Sequence, residues 1–115
     1  MQVSNPPIVQ QFKILEILRK ASDTNEMPAQ LISTFLYVAS HEGCNQEDLM
    51  KVTGMSSSAV SRNVKWLIGQ HRLDHRDGLK WIRRERREDE HRGYRLFLTA
   101  QGMGVIEQIH EELTV

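Results

Sequence analysis

Asn45-Gln46-Glu47-Asp48-Leu49-Met50-Lys51-Val52-Thr53-Gly54-Met55-Ser56-Ser57-Ser58-Ala59-Val60-Ser61-Arg62-Asn63-Val64-Lys65-Trp66-Leu67-Ile68-Gly69 is the stretch that decides how this chain folds. Asn45 carries the short polar side chain that caps a helix, and Glu47 and Asp48 put negative charge in the first turn, where the helix dipole favours it. That helix is predicted to end near Val52, with Thr53-Gly54-Met55 as a tight turn. Ser56 is a second N-cap. It opens a helix that turns Val60, Val64, Leu67 and Ile68 to one side and runs to about Gly69. Two short helices joined by a three-residue turn containing Gly form the helix-turn-helix pattern.

The flanks complete the picture. Upstream, Ile8, Phe12, Leu15 and Leu18, with Ile14 and Ile17 beside them, follow helical spacing after Pro6-Pro7, and Ser22-Asp23-Thr24-Asn25 ends that helix. Its broad apolar stripe needs a partner, either the rest of the domain or a second subunit. Another helix is predicted from about Pro28 through Leu31, Ile32, Phe35, Leu36 and Ala39, closing near His41-Glu42-Gly43. Downstream, Leu79-Lys80-Trp81-Ile82-Arg83 and Tyr94-Arg95-Leu96-Phe97-Leu98 read as two strands, the second with Tyr94, Leu96 and Leu98 on one face. Thr99 caps a last helix that carries Met103, Ile106 and Ile109 inward. The expected fold is mainly α with a small β-hairpin, a winged helix-turn-helix. Residues 1–25 form an N-terminal arm and helix available for dimerisation, 26–100 the winged helix-turn-helix, and 101–115 a C-terminal helix.

The chain has 115 residues, which suits one domain. With 39% hydrophobic and 26% charged residues it reads as soluble and globular. Its apolar runs are far shorter than the roughly 20 residues of a membrane span, and Met1-Gln2-Val3-Ser4-Asn5 lacks the basic start and apolar core of a signal peptide. A single cysteine, Cys44, cannot form an internal disulfide, so a cytoplasmic setting is expected. Fifteen Lys and Arg balance fifteen Asp and Glu, which at face value speaks against a polyanion. The distribution says otherwise. Residues 1–61 are net −2, residues 62–95 net +5 and residues 96–115 net −3. A basic middle between acidic ends steers polyanions whatever the total.

In a helix-turn-helix the second helix presents its N-terminal part to the major groove. With Val60, Val64 and Leu67 inward, Ser57, Ser58, Ser61, Arg62 and Lys65 face outward, joined by Ser56 at the cap. Their hydroxyls and backbone N–H groups suit phosphate, and the Arg62 guanidinium suits guanine. Asn63 can pair with adenine if it faces the groove, which spacing does not settle. The competing reading is a surface helix with a serine-rich cap. On the hairpin, Arg84, Arg86, Arg87 and Arg92 can reach phosphates or a narrow minor groove; the competing reading is a self-neutralising tip containing Glu88, Asp89 and Glu90.

The stretch from Gln46 to Gly102 resembles the MarR-type winged-helix regulators. Asn45-Gln46-Glu47-Asp48-Leu49 resembles the first helix of the family's motif, and Gly54-Met55-Ser56-Ser57-Ser58-Ala59-Val60-Ser61-Arg62 is similar to its turn and recognition-helix start. Glu90-His91-Arg92, then Leu96, Leu98 and Thr99-Ala100-Gln101-Gly102, resemble the wing's acidic-x-Arg pattern and its Leu-Thr-x-x-Gly lead into the next helix. The resemblance implies a homodimeric repressor that binds pseudo-palindromic double-stranded DNA. Ser57, Ser58, Ser61 and Arg62 then face the major groove, with Arg92 in the minor groove. The 68–79 link is longer than usual in the family, and the part after Thr99 is short for a dimerisation region. A compact form of this kind suits a phage or plasmid regulator, and effector binding stays open. A winged-helix module docking on a partner protein, or a replication or packaging factor, are the alternative functions.

Other constellations are weaker. His71 and His75 share a helical spacing, but nothing places a third zinc ligand, so no metal and no cofactor is expected. Cys44 reads as a small residue at a helix C-terminus, where the dipole disfavours a thiolate. Neither a phosphate loop nor a nucleophile motif points to an enzyme. Trp66 and Trp81 are expected in the core.

Overall fold

This computed structural model describes residues 5–24, 26–69, 78–86 and 93–113. Among them the order is α1 (Pro6–Ser22), α2 (Ala29–Ser40), α3 (Gln46–Thr53), α4 (Ser57–Ile68), β1 (Ile82–Arg86), β2 (Tyr94–Leu98) and α5 (Ala100–Leu113). Proline at the start of α1 costs no hydrogen bond, because the first-turn N–H groups have no helical partner. The helix stops where Asp23 turns left-handed and donates its N–H to the Lys20 carbonyl. Pro28 precedes α2 as its N-cap rather than occupying the first turn.

The core is built from one face of each element. Leu31, Phe35 and Val38 of α2 meet Leu49 of α3, Val60, Val64 and Leu67 of α4, Ile82, Leu96 and Leu98 of the hairpin and Val105 and Ile109 of α5. Leu18 brings in the end of α1, and α1 otherwise lies along α5. Trp81 is fully buried, its ring 4.8 Å from that of Phe35 and tilted by 55°. Trp66 is only half-buried at the edge of the same cluster, so of the two tryptophans Trp81 alone is a core residue.

The hairpin is antiparallel, with Ile82 opposite Leu98 and Arg86 opposite Tyr94. Its first strand starts three residues later than the apolar pattern predicts. The reason is tertiary. The Leu79 and Trp81 N–H groups donate to the Trp66 and Leu67 carbonyls at 3.0 and 2.8 Å, taking up acceptors that α4 cannot satisfy itself. Lys80, between them, has φ 60°. That left-handed conformation costs a residue with a Cβ about 1–2 kcal/mol. A second feature not read from the sequence is a bridge between Cys44 and Leu96, so that β2 pairs on both sides. Gly43 N donates to Leu96 O and Leu96 N to Cys44 O, both at 2.8 Å. Beyond the bridge, the Glu42 carboxylate accepts the Leu98 N–H at 2.8 Å.

Thr99 locks the hairpin to α5. Its N–H donates to the Trp81 carbonyl at 3.0 Å and its hydroxyl to the Lys80 carbonyl at 2.7 Å, while the hydroxyl oxygen accepts from Gly102 N at 3.0 Å. Gly102 then lies so close to the Trp81 backbone that a Cβ there would stand 2.0 Å from its oxygen. The Thr99-Ala100-Gln101-Gly102 lead therefore has a physical content: a cap and a helix turn that only glycine can bring against that carbonyl.

Candidate nucleic-acid interface

The helix-turn-helix forms at its expected positions. Asn45 Oδ1 accepts from Asp48 N at 2.8 Å and the Asp48 carboxylate accepts from Asn45 N at 3.0 Å, a reciprocal cap at the start of α3. Gly54 ends α3 in the left-handed conformation, φ 74°, and returns its N–H to the Met50 carbonyl. Thr53 braces the turn by donating its hydroxyl to the Leu49 carbonyl and accepting from Met55 N. Ser56 caps α4, its Oγ accepting from Ala59 N at 3.1 Å.

Burial shows which face of α4 looks outward. Ala59, Val60, Asn63, Val64 and Leu67 are buried. Ser57, Ser58, Arg62 and Lys65 are exposed and Ser61 is half-buried. Ser58, Ser61, Arg62 and Lys65 follow the spacing of one helical face, and no acidic residue interrupts the helix. Its first turn adds N–H groups and the positive end of the dipole. Asn63, left open by its spacing, points inward. It is 7% exposed, and its amide donates to the Ala59 carbonyl at 2.9 Å, so it is no base reader in this conformation.

The hairpin separates its charges by face. Ile82, Arg84 and Arg86 share one face with their partners Leu98, Leu96 and Tyr94. Beyond the buried part of that face, Arg84 lies over the Tyr94 ring at 4.7 Å, and both Arg84 and Arg86 are exposed. On the other face Arg83 stacks on Phe97 at 4.8 Å and pairs with Glu85 at 2.8 Å. Arg95 donates to the Gly43 carbonyl at 3.2 Å. Among the described residues neither Arg84 nor Arg86 pairs with a carboxylate, whereas Arg83 is held by Glu85. Arg87 and Arg92, and likewise His71 and His75, lie outside the described residues.

Cys44 is not the helix-terminal residue its position suggests. It lies beside the cap of α3, paired to Leu96, and is buried. Burial, and secondarily the Asp48 carboxylate, push its thiol up to about 11, so it stays protonated and unreactive at neutral pH. Among the described residues no group of three His, Cys, Asp or Glu side chains is placed to hold a metal ion. Among the same described residues no helix is long and apolar enough to cross a membrane. A shallow groove of about 580 Å³ lies between α2 and the end of α3, lined by Gln30, Tyr37, Val52 and Met55 among others.

A helix-turn-helix followed by a hairpin and a closing helix is a winged helix-turn-helix. No family model matches the sequence, and no curated protein sequence matches it. Solved structures do, and they make the fold that of MarR-type winged-helix proteins. A MarR transcriptional regulator from Methanosarcina mazei Go1 matches at 20% identity with a TM-score of 0.61, over 94% of this chain and 70% of that one. A mutant MarR from E. coli complexed with operator DNA matches at 19% identity and a TM-score of 0.59, over 92% and 75%. A mutant of S. aureus MepR bound to an oligodeoxyribonucleotide matches at 20% and 0.57, over 96% and 77%.

Proposed function

We propose that the protein is a sequence-specific double-stranded DNA-binding transcriptional regulator, a repressor that acts as a homodimer. The observation that carries this reading is the outward face of α4. Small hydroxyl side chains at its N-terminus are followed by Arg62 and Lys65, with no acid between Ser57 and Ile68. Close approach needs small residues, phosphate needs N–H and O–H donors, and guanine O6 and N7 need a guanidinium. In this reading Ser57, Ser58, Ser61 and Arg62 face the major groove with Ser56 and Lys65 beside them, and Arg84, Arg86, Arg87 and Arg92 reach phosphates or the minor groove. Two of the structural relatives are DNA complexes, which supports the same direction. The dimer draws on α1, where Ile8 and Phe12 are each 62% and Leu15 40% exposed along one stripe.

Fluorescence anisotropy with labelled duplexes tests this directly. Binding is expected at low salt and should weaken on a log–log slope of about −0.9 per phosphate neutralised. Absence of binding to any duplex, including those from the protein's own promoter region, would refute the reading and leave docking on a partner protein in its place.

A further inference from the structure

We infer that Asn63, held by Gln30, is a positioning residue that sets the rotation of α4 and so the aim of its outward face; this rests on the DNA-binding reading above. Asn63 is a polar residue in a helix face otherwise made of Ala59, Val60, Val64 and Leu67. Its Nδ2 donates to the Ala59 carbonyl at 2.9 Å, with Gln30 Oε1 at 3.4 Å and Met55 Sδ at 3.7 Å. One amide group therefore touches three parts of the motif: α4 itself, the first turn of α2, and the turn that leads into α4.

The physical distinction is directionality. The apolar contacts of Val60, Val64 and Leu67 are attractive over a range of helix rotations, because hydrophobic burial has no preferred angle. When the helix turns, the Ala59 carbonyl turns with Asn63, whereas Gln30 Oε1 and Met55 Sδ stay behind, and a buried N–H that loses them is left unpaired at a cost. Side chains on a helix lie about 5–6 Å from its axis, so a rotation of about 20° moves them by about 2 Å. Recognition geometry tolerates only about 0.5 Å or 10–20°. Arg62 directly precedes Asn63 in α4, so whatever fixes Asn63 fixes where Arg62 points.

Asn63→Leu separates aim from stability, since leucine fills similar space, favours helix and leaves no unpaired amide. Affinity is measured for a duplex enriched by the wild type from a random library and for a scrambled duplex, at one salt concentration, alongside Tm. Asn63→Leu is expected to lose at least tenfold on the enriched duplex and less than twofold on the scrambled one, with Tm within a few degrees of wild type. Gln30→Ala should give a smaller loss of the same kind, and the double variant no more than Asn63→Leu alone. Parallel losses on both duplexes, or an unchanged preference in a folded variant, overturn the proposal. Hydrogen exchange of the Asn63 side-chain amide reads the contact without DNA. Slow exchange that Gln30→Ala accelerates is expected, and exchange at the rate of a free amide overturns the proposal alone. A wild type that binds no duplex overturns the DNA reading and this role with it.

Discussion

Gly102 and Gly104 stand two positions apart in α5, and the same substitution is expected to act on them with opposite signs. A Cβ at Gly102 would lie 2.0 Å from the Trp81 carbonyl oxygen, 3.0 Å from its carbon and 3.2 Å from Leu98 Cδ2. Close carbon–oxygen contacts settle at about 3.3 Å or more, so the first turn of α5 has to retreat by more than an ångström. The atom struck is backbone and cannot swing aside. It also accepts the Thr99 N–H, and retreat weakens that bond and loosens Val105 and Ile109 against the core. Overpacking of this kind costs about 3 kcal/mol and the strained hydrogen bond about 1, against a helix-propensity gain of about 1. The net loss of about 3 kcal/mol should lower Tm by about 12 °C in a domain of this size. Around Gly104 nothing lies within 4 Å of the added Cβ, so Gly104→Ala keeps only the propensity gain and should raise Tm by about 4 °C. Thermal unfolding followed by circular dichroism decides it. A Gly102→Ala protein as stable as wild type would refute the seating of α5 on the Trp81 carbonyl.

The Cys44 thiol, raised from 9.0 to about 11, ionises more readily in the unfolded chain, so its contribution is complete below pH 9 and is lost as pH rises through 11. Urea unfolding of wild type against Cys44→Ala should show a difference that shrinks by about 2–3 kcal/mol across that window; a constant difference would contradict the burial argument. Arg84→Ala should make the salt slope of DNA binding less steep by about 0.9, while Arg83→Ala, whose guanidinium is paired with Glu85, leaves it unchanged. Equal slopes for Arg84→Ala and wild type would remove Arg84 from the interface. Light scattering at micromolar concentration should find a wild-type dimer and a Leu15→Asp monomer; a monomeric wild type would count against the α1 stripe as an interface.

Where the determinants are local, the chain was readable. Asn45 and Ser56 cap the helices they precede, Gly54 takes the left-handed turn, and the Val60, Val64 and Leu67 spacing identifies the inward face of α4. Distant partners defeat that kind of reading. The start of β1 depends on two α4 carbonyls claiming Leu79 and Trp81, and the environment of Cys44 depends on Leu96, far along the chain. Asn63 illustrates the limit best. Spacing alone allowed it to face either way, and what orients it inward includes Gln30, two helices earlier. The outward residues of α4 were legible because exposure follows from the buried face, whereas the two faces of the wing needed the register, which pairs Arg84 with Leu96 and Arg83 with Phe97.

Selection of bound sequences from a random duplex library puts the central claim to its most direct test. A homodimer presenting two copies of α4 should enrich a pseudo-palindromic consensus whose half-sites are about one helical turn, or a multiple of it, apart. Arg62→Ala should relax the preference at one position in each half-site. Enrichment of no sequence over the starting pool would contradict the account.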